Sequence, residues 1–215
     1  MRLLLLALAL STAAAAQPVV TPGAAALDTS VLTEGDETMT LRLVGPDGVR
    51  DVGTVQVRTT IRDGRITRTT RYDVAGQVST DTLVAVWPSL APVSQSRHAP
   101  DAAGRAPVAE SYVVSAGVAR TRVVNAVGPP IDSTVAVGAS VFGNGWMTSI
   151  VRSLPLAAGY TATFTALDAE DGLVGSIVAV TGTETVETDA GPVQAWTVEV
   201  ERLGQTVTLA VAAGS

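Results

Sequence analysis

The 215-residue chain has no cysteine and no lysine, a single histidine, and aromatic residues at only 4% of positions. Without cysteine there is no disulfide framework, no thiolate metal site and no thiol nucleophile. Without lysine there is no Schiff-base chemistry. All 14 cationic residues are arginine and stand against 20 Asp and Glu, a formal charge of −6. A phosphate-backbone binder needs clustered cations, so nucleic acid is not an expected partner. No G-x-S-x-G, HExxH, P-loop or G-x-G-x-x-G pattern occurs, so the hydrolase and nucleotide classes built on those spacings have no support.

Long apolar runs are also missing, apart from one at the N-terminus. Arg2 precedes an eight-residue apolar core, Leu3 to Leu10, and small residues lead to Ala14, Ala15 and Ala16 before Gln17-Pro18. This is the tripartite pattern of a secretory signal, with cleavage expected after Ala16. The core falls well short of the roughly 20 residues that cross a bilayer. Cleavage leaves 215 − 16 = 199 residues and a side-chain balance of 13 − 20 = −7. With no cysteine at the cut to carry lipid, the mature chain is expected to be periplasmic or secreted, with no transmembrane span.

What the sequence does have is alternation. Residues 17–37 show no clear period and read as an exposed leader or linker, with a short strand near Val31 as an option. From residue 38 to the end, one β-rich domain is expected. Met39, Leu41 and Leu43 alternate with Thr38, Thr40 and Arg42; Val55, Val57 and Ile61 alternate with Thr54, Gln56, Arg58 and Thr60. Asp63-Gly64, Ala75-Gly76 and Ala116-Gly117 are read as tight turns. Ile66, Tyr72 and Val74, and then Val78, Val84 and Val86, are expected to form the buried faces of the next two strands. Trp87-Pro88 ends that run. Further strands are expected over 93–98, 108–115, 118–127, 133–137, 160–167, 173–187, 193–202 and 205–211, with Arg120 and Arg122 on one face and Val123 on the other.

One helix is expected, from Asn144 to Leu154. Asn144 is placed to cap it, Trp146, Met147, Ile150 and Leu154 recur at spacings of three and four, and Pro155 follows. The fold class is therefore all-β: an open barrel or strongly curved antiparallel sheet with one short amphipathic helix packed on it.

Two stretches carry a family resemblance: SLPLAAGYTATFTALDAEDG, residues 153–172, and VTGTETVETDAGPVQAWTVEVE, residues 180–201. The helix ending in Leu-Pro-Leu, the following Gly-Tyr, the Gly-x-Glu-x-Val strand and the Ala-Gly turn before Ala-Trp resemble uncharacterised exported bacterial β-proteins, a periplasmic domain of unknown function. The resemblance implies a fold similar to that of the LolA/LolB-like lipoprotein carriers, open barrels that enclose acyl chains. It also leads one to expect a further aromatic-bearing strand and a basic tail after residue 211, where this sequence has Ala-Ala-Gly-Ser.

Trp146, Met147, Ile150, Leu154, Tyr160 and Phe164 are the candidates for a ligand pocket between helix and sheet, and equally for a closed core. Asp168, Glu170 and Asp171 crowd one turn ahead of Gly172, a weak calcium candidate or an ordinary charged turn. Arg58, Arg68, Arg71, Arg120 and Arg122 form a basic stripe for anionic headgroups if they share a face, and solvated strand faces if they do not. His98 is read as a solvent-facing loop residue. Glu199 and Glu201 are read as an exposed strand face. No catalytic set and no cofactor is indicated. The expected function is a non-catalytic envelope protein that binds a hydrophobic or lipid-like ligand, or an envelope partner, in the concave face of its sheet. Pairing through an exposed edge strand is the alternative, followed by a carboxylate-based hydrolase.

Overall fold

Two-residue turns set the architecture. At Asp63-Gly64 both residues have positive φ, 51° and 69°, the geometry whose twist matches that of the strands it joins. Ala75-Gly76, Ala116-Gly117 and Leu203-Gly204 turn in the same way. A computed structural model describes residues 17–45, 48–99, 107–188 and 190–213. The expected export signal, residues 1–16, and the loop over 100–106 lie outside the described residues.

β1 (Gly35–Gly45), β2 (Gly48–Arg62), β3 (Arg65–Val74), β4 (Gln77–Val86), β5 (Ala91–His98), β6 (Pro107–Ser115), β7 (Val118–Asn125) and β8 (Ile131–Ala136) follow one another in chain order as one eight-stranded antiparallel sheet. This sheet is not closed. A short strand β9 (Val141–Gly143), a 3-10 turn (Asn144–Trp146) and the helix α1 (Met147–Arg152) come next. β10 (Thr161–Asp168), β11 (Gly172–Thr188), β12 (Gly191–Arg202) and β13 (Gln205–Ala212) complete a five-stranded sheet in the order β13-β12-β11-β10-β9. The all-β class with one short helix is as expected, but the strands divide between two sheets.

Between the sheets lies the main core. Ile66, Leu83 and Ala85 of the larger sheet meet Phe164, Val178, Val198 and Val200 of the smaller, with Trp146, Ile150 and Val151 filling the space at the helix. Phe142 and Phe164 pack edge to face, with ring centroids 5.9 Å apart, an arrangement that adds about 0.5–1.5 kcal/mol beyond area burial. A second cluster under β6–β8 gathers Tyr112, Ala119, Val123, Val141 and Leu167.

Several expectations need correction. On β4 the buried face is Leu83 and Ala85, while Val84 is only partly covered and Val86 is exposed. Valine suits either face of a strand, so three valines in step did not identify the inner one. Met39 is 45% exposed because β1 is an edge strand that the smaller sheet does not cover; the Leu43 side chain lies outside those described. The helix has six residues, not eleven. Asn144 does not cap it, because it lies inside the 3-10 turn and Trp146 holds the N-cap position. β9 went unread because three residues are too short to show a period. It pairs parallel with β10.

The 17–37 segment is also more than an exposed leader. Val20 and Leu32 are buried in the core, and Val20 N–H donates to the Thr163 carbonyl at 2.8 Å while Thr163 N–H donates to that of Pro18 at 2.9 Å. The expected strand at Val31 is a 3-10 turn, Thr29–Val31, in which the Ser30 N–H donates to the Asp28 carboxylate.

Candidate functional site: the inner face of the larger sheet

The six pocket candidates do not line one space. Trp146, Ile150, Leu154 and Phe164 are buried members of the core, with Met147 and Tyr160 packed against it. Trp146, Met147 and Leu154 each border a recess, but three different ones. Burial raises the Tyr160 phenol above its ordinary pKa. This is the packing of a core, the second of the two readings.

The segment Phe142-Gly143-Asn144-Gly145-Trp146 lies flush on the larger sheet. A Cβ at Gly143 would overlap the Tyr112 hydroxyl, and one at Gly145 the Leu83 side chain, so close approach explains both glycines. The Asn144 amide donates to Asp168 Oδ2 at 2.7 Å, and Arg202 Nη2 donates to the same oxygen at 2.8 Å. Asp168 Oδ1 accepts from the N–H groups of Glu170 and Asp171 at 2.9 and 3.1 Å. Burial acts to raise the Asp168 carboxyl, but those backbone hydrogen bonds and Arg202 outweigh it and hold the pKa below the usual range. Glu170 and Asp171 themselves are exposed. Asp168 thus ties the β10–β11 turn to the 3-10 turn and β12. Among the described residues, no group of three or more Asp, Glu, His or Cys side chains is placed to hold a metal.

The inner face of the larger sheet carries a polar row that alternation alone does not reveal. Thr70, Asp81, Arg97 and Glu110 stand opposite one another across β3 to β6. Next to them run Arg68, Leu83, Gln95, Tyr112 and Thr121. Burial pushes the Asp81 carboxyl up to about 6, against the pull of Arg97, Arg68 and a hydrogen bond from Gln95. Burial likewise raises Glu110 and Tyr112. Asp81 Oδ1, Gln95 Oε1 and the Tyr112 hydroxyl are buried without a hydrogen-bond partner among the described residues. The two acids are separated by Arg97, which lies 3.8 Å from Glu110.

The Asp81 shift gives a signed expectation. The folded pKa of about 6 lies above the ordinary carboxyl range, so the penalty for ionising Asp81 is absent below about pH 4 and complete above about pH 6. Asp81→Asn is expected to raise stability by roughly 1–3 kcal/mol at pH 8 and to change it little at pH 4, at about 1.4 kcal/mol per pKa unit. Urea unfolding at the two pH values measures this; equal effects at both would contradict the assignment.

A family profile matches residues 30–213, a span that takes in all thirteen strands. The chain belongs to DUF3108, a family of proteins of unknown function. No curated protein and no solved structure matches it.

In this DUF3108 domain the inner face changes character along β3. Ile66 is in the core and Thr70 is buried, but Tyr72 and Val74 on the same face are 39% and 38% exposed. Val55 stands between Met39 and Tyr72 in register, and Gly53 between Leu41 and Val74. An apolar patch therefore lies open where the smaller sheet stops covering the larger.

The five arginines of the expected stripe are split by strand parity. Arg58 and Arg71 lie on the outer face of β2 and β3, beside Asp36, Gln56 and Thr69 along a groove of about 460 Å³. Arg58 pairs with Asp36 at 2.6 Å, and Arg122 with Asp132 at 3.0 Å. Arg120 and Arg122 are exposed opposite the buried Ala119, Thr121 and Val123, as expected. Arg68 alone of the five faces inward on β3. His98 is exposed but ends β5 instead of lying in a loop. Glu199 and Glu201 are on an exposed strand face. Among the described residues, no helix is long and apolar enough to cross a membrane.

Proposed function

We propose that this DUF3108 protein is an exported, non-catalytic binding protein that holds a hydrophobic or lipid-like ligand on the open end of its inner face. The observation that carries the reading is the patch of Met39, Tyr72 and Val74, exposed beside buried Val55 on the face that elsewhere forms the core. Contiguous exposed apolar surface of this kind marks interaction sites. The signal-like residues 1–16 and the resemblance to lipoprotein carriers support the compartment and the ligand class. The patch lies apart from Ile150, Leu154 and Phe164, which pack in the core.

Native mass spectrometry and lipid extraction of protein purified from a bacterial envelope test the proposal. A co-purifying apolar ligand is expected, with the double variant Met39→Asp/Tyr72→Asp losing it. Because both residues are exposed, that variant is expected to unfold within about 0.5 kcal/mol of the parent. A variant that keeps the ligand would contradict the site. An apolar protein segment added as a strand beside β1 is the second reading, favoured because β1 is a sheet edge and carries Met39. Pull-down of a protein with no lipid present would decide for it.

A further inference from the structure

The patch ends, along β1 to β3, at a recess of about 30 Å³ between these strands and α1. It has room for one or two water-sized groups. Its lining includes Arg68, Trp146, Ser149, Arg152, Thr59 and Glu37.

Arg68 is held there by neutral partners. Its Nη1 donates to Thr148 Oγ1 at 3.0 Å and to Ser149 Oγ at 3.2 Å. Hydroxyls orient a guanidinium but do not neutralise it, and among the described residues no carboxylate forms an ion pair with Arg68 or with Arg152. Burial lowers the Arg68 pKa and the like charge of Arg152 acts in the same direction, with Tyr72, Glu37 and Asp81 opposing. Trp146 is 1% exposed, and its buried Nε1–H has no acceptor among the described residues. Arg68, Arg152 and Ser149 bring two guanidinium-bearing side chains and a hydroxyl to the lining of one small space, a donor set suited to an oxyanion. Glu37 is the one carboxylate lining the recess, and it is exposed.

The recess and the patch belong to one surface. Arg68 and Tyr72 share the inner face of β3, four residues apart, or about 13 Å at about 3.3 Å per residue; Glu37 and Met39 are neighbours on the same face of β1. We propose that the recess takes the anionic head of an amphipathic ligand, a carboxylate or phosphate, while its apolar tail lies across Val55 and Tyr72. This assignment rests on the binding reading above and adds the head-group chemistry to it.

Calorimetric titration of the mature chain with decanoate, decyl phosphate and decanol tests it. At least one of the two anions is expected to bind at least about 10-fold more tightly than decanol, or about 1.4 kcal/mol, and the stronger of them names the head group. Arg68→Gln and Arg152→Gln are expected to abolish the preference and leave decanol binding in place. Arg152 is exposed, so its variant carries the test should Arg68→Gln fail to fold. Equal affinity for all three ligands, or a preference that survives Arg152→Gln, overturns the head site and leaves the apolar face standing. Failure of all three to bind overturns both.

Discussion

Trp146→Ala is expected to remove about 3–5 kcal/mol of folding stability, the range for deleting a buried tryptophan side chain. Domains of this size have about 5–15 kcal/mol in total, so the variant should sit near the edge of unfolding at 37 °C. The size of the effect follows from position. Trp146 is 1% exposed at the junction of the 3-10 turn and α1, in the cluster that joins both sheets. Gly143 and Gly145 let that turn approach so closely that neighbouring atoms have little room to collapse into the gap. Urea unfolding followed by far-UV circular dichroism measures it. A Trp146→Ala protein as stable as the parent would mean that the indole is not a keystone of the core, contrary to its place in the cluster that joins both sheets.

The second large effect is expected at Asp168. Asp168→Ala removes an acceptor used by two backbone N–H groups, Asn144 and Arg202. It leaves Arg202, whose side chain is 23% exposed and whose Nε already lacks a partner among the described residues, without its counter-charge. Breaking a buried pair from one side costs about 3–5 kcal/mol, and partial exposure places this pair at the lower end, about 3. Asp168→Asn keeps the shape and loses the charge, so about half that loss is expected at pH 7. The folded pKa is held below the ordinary carboxyl range. The stabilisation is therefore present above about pH 4 and is lost as pH falls through the folded pKa. The gap between parent and Asp168→Asn should close in acid. A gap that persists unchanged at pH 2 would show that charge is not what Asp168 contributes.

Local chemistry explains why some of this was legible in the sequence. Asp63-Gly64 and Ala75-Gly76 specify turns through backbone conformation alone, so β2 to β4 were placed with their ends nearly correct. The alternation on β7 was unambiguous because arginines occupy one face and small or apolar residues the other. β4 failed because both of its faces carry apolar residues, and a register shift between Val84 and Ala85 alters its pairing to β5. The helix was overextended because Asn144 looks like a cap in sequence, and only the fold brings Asp168 to its amide.

The site was harder to see for a related reason. Asp81, Gln95 and Glu110 carry no spacing that singles them out in the sequence, and only the register of the meander lines them up beside Tyr112. Arg68 was grouped with four arginines of the outer face, and no sequence spacing brings it to Trp146. One signal was available: Arg68 has the parity of Ile66 and Tyr72, so an inward-facing Ile66 implied an inward-facing arginine.

Methyl-resolved NMR of the mature protein titrated with decanol tests the central claim most directly, because it locates the ligand without altering a residue. The account predicts shifts at the methyls of Met39, Val55 and Val74, with Ile150, Val178 and Val198 unmoved. Shifts concentrated on Ile150, Val178 and Val198, or none at saturating ligand, would contradict it.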